Sequence, residues 1–265
     1  MYIIAEIGIN HNGDINLALE MIDKAVAAGA DCVKFQKRNP DKCVPETQKN
    51  QPKIFLGKEM TYIEYKHLLE FSEEDYDLIN KHCKEKNISW TASVWDVDSV
   101  NFMKKYVNDI PFLKIPSALI TNSEVLSAAD KLNIPILISN GMSTQTEIDN
   151  AVKSLHNIFG ILHCNSSYPA NPRELDLNVI KTYKTIYNNL TIGYSGHEEG
   201  HFPTCLAVAA GADIIERHFT LDNDMEGTDQ KASLSVENFA SMVIDLHEIN
   251  FILGNYLPVV YESER

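Results

Sequence analysis

Apolar and polar residues alternate along this 265-residue chain in a pattern that repeats eight times. Each repeat has a short apolar run rich in β-branched residues, then a turn, then a segment with apolar residues at helical spacing. The predicted strands are residues 2–9, 32–36, 89–94, 112–116, 136–140, 161–165, 190–195 and 214–219. The predicted helices are residues 15–28, 73–86, 96–106, 123–132, 145–158, 174–187, 202–210 and 236–253.

Eight strand–helix units within about 250 residues are typical of a (β/α)8 TIM barrel, so the predicted fold class is α/β with this architecture. A doubly wound open sheet is the alternative, but the chain has no Gly-x-Gly-x-x-Gly turn. The sequence Ala-Ala-Gly-Ala-Asp occurs at residues 27–31 and again at 209–213, each time between a predicted helix and a strand. We expect one barrel domain over residues 1–253 and a short tail over 254–265.

Residues 37–71 interrupt this rhythm and are predicted to form a long loop insertion. The segment contains Pro40, Pro45 and Pro52 and several aromatic residues. A loop of this length after a barrel strand covers the active-site end, packs on a partner, or is a surface elaboration.

Composition excludes several classes of function. The formal net charge of −14 argues against a nucleic-acid partner or an anionic membrane surface. No apolar run approaches the ~18 residues of a membrane span, and Glu6 comes too early for a signal peptide. The five cysteines are odd in number and include no Cys-x-x-Cys pair, which suits a reducing compartment. A cytoplasmic globular protein is expected.

Two histidines end neighbouring predicted strands near the end of the chain. Side chains at the carboxyl ends of barrel strands face one shared opening, so His197 and His218 are expected to lie close together. Imidazoles with carboxylates nearby are ligands for a divalent metal. Two ordinary polar residues at strand ends are the alternative. In the loop after the last strand, Asp229 is a candidate third ligand or proton acceptor.

Two lysines, Lys34 and Lys114, lie within apolar strands, where an ammonium group is costly unless an anion compensates it. A barrel carboxylate such as Glu6 or Glu216 is one possible partner. The other is a bound phosphate or carboxylate, which several serines at strand ends favour. Those serines are Ser93, Ser117, Ser139, Ser166 and Ser195.

Motifs along the whole predicted barrel, in order, resemble the sialic acid synthase (N-acetylneuraminate synthase) family. They are AEIGINHNG at residues 5–13, VKFQ at 33–36, KIPS at 114–117, SNGM at 139–142, HC at 163–164, YP at 168–169, GYSGH at 193–197, ERHFT at 216–220 and KASL at 231–234. The set is more specific than any single motif because it spans the chain.

The resemblance implies condensation of phosphoenolpyruvate with an open-chain aldose to give a 3-deoxy-2-ulosonic acid and phosphate. It implies a divalent metal, Mn²⁺ with Mg²⁺ or Co²⁺ as alternatives, on His197 and His218. Glu6, Gln36, Tyr168 and Asp229 would position sugar and water or move protons. The phosphoenolpyruvate site would comprise Lys34, Ser93, Lys114, Ser117, Ser139, Ser166 and Ser195.

The sequence departs from the family pattern on the acceptor side. Ser117-Ala118-Leu119 replaces Ser-Gly-Glu, which removes a carboxylate expected to contact the acceptor, and Gly196 replaces an aspartate. The chain also ends before the small antifreeze-like domain that such synthases append. These departures favour a non-standard acceptor. The expected partners are phosphoenolpyruvate, an aldose and a second copy in a homodimer, with a separate lid protein as a further option.

Three alternatives stay open. A related octulosonate or heptulosonate synthase ranks lower, because its phosphorylated acceptor would need arginines and the chain has only four. A Schiff-base aldolase could use Lys34 or Lys114. A catalytically inactive sugar-binding paralogue is the non-enzyme alternative.

Overall fold

The computed structural model describes residues 1–254 and 257–265 and has a closed barrel of eight parallel strands at its centre. In barrel order these strands are β1 (Tyr2–Gly8), β2 (Cys32–Lys37), β5 (Ser89–Val94), β6 (Leu113–Ile115), β7 (Ile136–Ser139), β8 (Ile158–His163), β9 (Thr191–Gly196) and β10 (Ile214–Thr220). Pairing of the first strand with the last closes the barrel, and β11 (Leu234–Ser235) adds to the last strand. The predicted TIM barrel is confirmed.

Eight helices surround the barrel, one after each barrel strand. They are α1 (Ile15–Ala27), α5 (Glu73–Lys86), α6 (Val97–Met103), α7 (Ser123–Asp130), α8 (Gln145–Ser154), α9 (Asn178–Ile186), α10 (Phe202–Ala209) and α11 (Val236–Leu253). Side-chain caps start most of them, for example Ser72, which accepts a hydrogen bond from the backbone of Asp75 at α5. Outward-facing strand residues such as Ile3, Ala5 and Val33 pack against the helices in the main hydrophobic core.

The inside of the barrel is layered, because side chains alternate between the two faces of a strand. At the amino-terminal end an apolar cluster fills the interior, formed by Ile4, Cys32, Phe112, Leu137, Leu162 and Ile214. Two residues after Ile4, Cys32 and Ile214 the inward positions are polar, at Glu6, Lys34 and Glu216. The change from apolar to polar therefore places a reactive surface at the carboxyl end.

The insertion differs from the predicted loop, since it is largely regular. It contains α2 (Pro40–Cys43), α3 (Glu46–Lys49), an antiparallel hairpin of β3 (Pro52–Phe55) and β4 (Lys58–Thr61), and α4 (Tyr62–Leu68). Phe55, Tyr65 and Leu69 form a small core with Ile9, so the insertion packs against the first strand's loop. Its proline residues begin or border elements, where their missing N–H group is not needed.

Two helix predictions need correction. The helix predicted at 145–158 ends at Ser154, because Leu155 adopts an extended backbone and Ile158 already begins the next strand. The helix predicted at 174–187 begins at Asn178, after a short 3₁₀ turn at Pro172–Glu174. Of the predicted tail, residues 255 and 256 lie outside the described residues. Within the described part of the chain, no helix combines the length and apolar character needed to cross a bilayer.

Candidate active site

A cavity of about 140 Å³ opens at the carboxyl ends of the barrel strands. All the residues predicted for the site line this cavity except Asp229. The carboxylate of Asp229 lies beside it, with Oδ2 4.0 Å from Nδ1 of His218. The structure thus brings together residues from seven barrel strands and the loops that follow them.

Four buried charges, here called the floor cluster, lie at the base of the cavity: Lys34, Lys114, Glu6 and Glu216. The Lys34 ammonium is 2.6 Å from Glu6 Oε2 and 3.7 Å from Glu216 Oε2. The Lys114 ammonium is 3.4 Å from Glu216 Oε1. Each ammonium group therefore has a carboxylate partner, as the structural-pairing interpretation predicts. Both lysines also line the cavity, as the anion-site interpretation predicts.

The two carboxylates of the floor cluster have different protonation behaviour. Burial, followed by the negative charge of Glu216, raises the pKa of Glu6 despite the neighbouring Lys34. For Glu216, burial acts in the same direction, but Lys114 and Lys34 outweigh it and lower the pKa. Burial also lowers the pKa of Lys114. Glu6 is consequently the floor carboxylate better suited to hold a proton near neutral pH.

The predicted serines surround the floor cluster and differ in the hydrogen bonds that their hydroxyl groups make. The Ser93 hydroxyl accepts a hydrogen bond from Lys34 at 2.7 Å, and Ser195 donates one to Glu216 at 2.9 Å. Ser117 accepts from the backbone of Gly141. Among the described residues the buried hydroxyl of Ser139 has no partner, so it is free to bind a ligand oxygen. Ser166 is half-buried on the cavity wall.

The two histidines meet as predicted, with ring centroids 5.6 Å apart. Nδ1 of His197 donates to the carbonyl of Asn165 at 2.5 Å, which leaves Nε2 as the acceptor. The Tyr168 hydroxyl donates to that nitrogen at 2.9 Å. Burial, followed by the nearby His218, lowers the pKa of His197 to about 4, and burial lowers that of His218. Both imidazoles are therefore neutral at physiological pH.

This histidine pair fits a divalent metal by its chemistry. Neutral imidazoles are the form that ligates, and a carbonyl partner that fixes the tautomer is the usual outer support of a metal-ligating histidine. In addition, Nδ1 of His218 is buried without a hydrogen-bond partner among the described residues. The described residues offer two imidazoles and the neighbouring Asp229 as metal ligands, which is not a complete set of ligands from the protein. Its one cluster with three ligand atoms within 4.8 Å lies elsewhere, at His201, Cys205 and Asp245.

A buried ion pair holds the two histidine-bearing segments together. Arg217, next to His218, bonds Oε1 of Glu198, next to His197, at 2.9 Å, and both side chains are almost fully buried. Tyr194 and Thr204 complete the network by bonding the same carboxylate. We call Arg217 and Glu198 the histidine clamp. Sequence reasoning did not single it out, because each residue looks like an ordinary neighbour of a site residue.

Other cavity residues were also missed or misjudged from sequence. Glu216 was considered only as a structural partner, yet it lies between both lysines, and Trp95, Met142 and Cys164 also line the wall. The feature of the sequence that could have identified these residues is their position at the ends of predicted strands. Leu119, where the resemblance implies a lost acceptor carboxylate, packs against the hydrophobic core and is not among the lining residues.

The Asn10–Gly13 turn, part of the motif at residues 5–13, makes contacts that hold neighbouring segments together. Asn10 donates to the carbonyl of Phe219 and to Ser233, and Asn12 donates to the carbonyl of Glu226. His11 stacks on Phe71 with centroids 3.9 Å apart. The turn therefore ties the first and last strand loops and the insertion together beside the cavity.

Comparison with known proteins agrees with the resemblance. Residues 21–257 match the model of the NeuB family. N-acetylneuraminate-9-phosphate synthase of Drosophila melanogaster is 39% identical over 247 residues, covering 91% of this chain and 66% of that protein. N,N'-diacetyllegionaminic acid synthase of Campylobacter jejuni is 34% identical over 99% of this chain and 80% of its own length.

A solved structure supports the same relationship. The N-acetylneuraminic acid (sialic acid) synthetase of Leptospira borgpetersenii, solved in complex with citrate, superimposes with a TM-score of 0.89 at 34% identity. The match covers 99% of this chain and 88% of that chain. The present chain spans about two thirds of the length of the Drosophila relative. With the barrel, the cavity and these matches in agreement, the chain belongs to the NeuB family.

Proposed function

We propose that the protein condenses phosphoenolpyruvate with an open-chain aldose to form a 3-deoxy-2-ulosonic acid and inorganic phosphate. One observation carries the proposal: Lys34 and Lys114 lie together with several serine hydroxyls at the buried floor of one cavity. Ammonium and hydroxyl groups in a dry site are suited to phosphate and carboxylate oxygens. The relatives named above are synthases of nonulosonic acids, which are products of this type.

In this proposal the floor cluster binds the phosphate and carboxylate of phosphoenolpyruvate. Lys34 pairs with Glu6 and Glu216, and Lys114 pairs with Glu216, so an incoming anion can replace part of this pairing without leaving an ammonium group unpaired. Ser139 supplies its unengaged hydroxyl. Because burial raises the pKa of Glu6, this carboxyl is the group that would take up a proton as negative charge enters the site.

The bond changes balance as follows. C3 of phosphoenolpyruvate attacks the aldehyde carbon, forming one carbon–carbon bond. A water oxygen then adds at C2, and the C2–O bond to phosphate breaks, which releases phosphate and leaves the keto acid. Gln36, Tyr168 and Asp229 border the path between the floor cluster and the solvent, where they would orient the sugar and the water.

We also propose that His197 and His218 hold a divalent metal, Mn²⁺ in preference to Mg²⁺ or Co²⁺. When bound, such an ion acts as a Lewis acid that polarises the aldehyde carbonyl. The chain's own contribution is twofold: burial keeps both imidazoles neutral, and the Asn165 carbonyl and the histidine clamp fix the positions of the two histidines. The Tyr168 hydroxyl, which bonds the same nitrogen of His197, can then turn to the substrate.

The test is phosphate release from phosphoenolpyruvate with Mn²⁺ and a panel of aldoses, followed by mass spectrometry of the product. The expected product mass is that of the aldose plus phosphoenolpyruvate plus water minus phosphoric acid. Exposed Lys131→Met serves as the matched control for losses at the floor lysines. Absence of phosphate release with every aldose, in protein that is folded and metal-loaded, would refute the proposal.

A further inference from the structure

Lys66, on α4 of the insertion, is buried although no anion is paired with it. The residue is only 8% exposed. Within residues 1–254 and 257–265, no carboxylate oxygen lies within 4.0 Å of its ammonium group, and no hydrogen-bond acceptor is engaged. The ammonium lies 5.2 Å from the ring centroids of both Tyr62 and Tyr65. Cation–π contacts offset part of the desolvation, and the N–H donors stay available to a ligand or to water.

A second cation, Arg38, lies directly after β2, where this strand leaves the barrel. Its guanidinium is 4.6 Å from the ring of Trp95 and donates to the side chain of Gln36, and both of these residues line the cavity. Its carboxylate partner is Glu70, at 3.3 Å, which is shared with Lys37. One carboxylate therefore balances two cations at this point.

These cations share one region, which we call the mouth cluster: Arg38, Lys53 and Lys66. Lys53 lies 5.0 Å from the same Tyr65 ring as Lys66. Burial, followed by the positive charge of Arg38, lowers the pKa of Lys66 to about 8, and Lys53 acts in the same direction. Asp229 and Glu70 only partly offset this effect. In a chain of net charge −14, an excess of positive charge around a buried lysine needs a functional reason.

The location of the mouth cluster relative to the floor cluster indicates what binds there. Lys34 and Gln36 follow one another along β2 and Arg38 comes directly after the strand, and each two-residue step of a strand advances roughly 6.6 Å, here towards solvent. The aldehyde of the acceptor must lie near the floor, beside phosphoenolpyruvate and the histidines. The far end of an open-chain sugar then points towards the mouth cluster, with Asp229 between His218 and that cluster.

We propose that Arg38 and Lys66 bind a phosphate group on the terminal carbon of the acceptor, so that the substrate is an aldose phosphate. The inference rests on the proposed function and names its substrate class. A phosphate dianion provides the missing negative charge, and a guanidinium beside an ammonium is a common phosphate-binding pair. The acceptor is recognised at both ends, by its aldehyde and by its phosphate.

The test compares matched acceptors at saturating phosphoenolpyruvate: N-acetylmannosamine with its 6-phosphate, and mannose with mannose 6-phosphate. The wild-type protein is expected to prefer the phosphorylated member of each pair by at least about 10²-fold in kcat/KM. Lys66→Met and Arg38→Gln should each reduce this preference by about 10- to 100-fold, as the loss of one charge-assisted hydrogen bond does. Lys58→Met, at an exposed lysine on the β3–β4 hairpin of the insertion, should leave the preference unchanged.

Calorimetric titration with mannose 6-phosphate and with inorganic phosphate separates this inference from the proposed function. Binding of the sugar phosphate that is lost in folded Lys66→Met supports the site even if no aldose turns over. A wild-type preference for unphosphorylated sugars overturns it, as does equal preference in wild type and both variants. Inorganic phosphate that binds as tightly as the sugar phosphate, and whose binding is likewise lost in Lys66→Met, assigns the mouth cluster to free phosphate and overturns the acceptor assignment.

Discussion

The floor cluster has buried cations and the mouth cluster has one buried and two half-buried cations, and the charges of the two clusters are balanced differently. At the floor, Lys34 and Lys114 each have a carboxylate within 3.4 Å or less. At the mouth, Arg38 shares one carboxylate with Lys37, and among the described residues Lys66 has no carboxylate within 4.0 Å. A balanced cluster is stable without ligand and exchanges partners when one arrives, whereas an unbalanced cluster is completed by its ligand.

The comparison also separates two roles. The floor lies on barrel strands whose register fixes each side chain, which suits chemistry common to all acceptors. The mouth lies on the insertion and the end of one strand, which suits discrimination between acceptors. Mutations at the floor should therefore affect every substrate alike, and mutations at the mouth should affect phosphorylated substrates alone.

The largest effect on turnover is expected at the histidine pair. His197→Ala and His218→Ala should each lower turnover on the order of 10³-fold or more for both members of a sugar pair, because several kcal/mol of Lewis-acid stabilisation are lost. Chelation of the wild-type protein should have the same effect, and Mn²⁺ should restore it. Exposed His156→Ala is the control. A fully active double histidine variant would exclude the metal assignment.

At the floor, Lys114→Met should reduce kcat/KM for phosphoenolpyruvate by roughly 10²–10³-fold, as the removal of one preorganised donor does. The reduction should be equal for phosphorylated and unphosphorylated aldoses. Steady-state phosphate release with both members of a pair measures this directly. A reduction confined to the phosphorylated aldose would break the division between floor and mouth.

The histidine clamp links the floor strands to the histidines and should matter for stability more than for specificity. Glu198→Gln leaves the buried Arg217 without a carboxylate, which should lower the free energy of unfolding by about 3 kcal/mol. Urea denaturation of this variant beside exposed Glu199→Gln provides the comparison. An unchanged midpoint would mean that the pair contributes nothing to the packing of these strands.

Sequence reasoning succeeded where strand periodicity alone determines position. Glu6, Lys34 and Glu216 occupy inward positions of regular strands, so the barrel places them together without knowledge of any loop. Because Lys66 and Arg38 meet only through the fold of the insertion, the polar–apolar pattern carried no signal for the mouth cluster. The scarcity of arginine, which had counted against a phosphorylated acceptor, does not decide the matter, since one arginine is in the relevant place.

Gly196 is a single residue whose structural surroundings the sequence pattern could not predict either. From sequence, its departure from the family pattern indicated an altered acceptor side. In the structure, a Cβ atom at this position would lie 2.8 Å from the ring of Tyr194 and 2.9 Å from Cδ of Arg217. Glycine at this position therefore fits the close packing of the histidine clamp behind the cavity, a reason that the sequence pattern did not indicate.

The smallest predicted effect, a pH dependence, tests the mouth cluster most selectively. Burial, followed by Arg38, lowers the pKa of Lys66 to about 8, with Lys53 acting in the same direction and Asp229 and Glu70 opposing it. The ammonium is charged below this pKa and loses its charge as the pH rises, while a sugar phosphate stays a dianion above a pH of roughly 6. KM for the phosphorylated aldose should therefore rise several-fold between about pH 7 and 9, and KM for the unphosphorylated aldose should not follow.

Lys66→Arg keeps its charge throughout and should abolish the rise, because a guanidinium does not titrate in this range. The same rise in Lys66→Arg would assign the pH dependence to another group and remove Lys66 from the site.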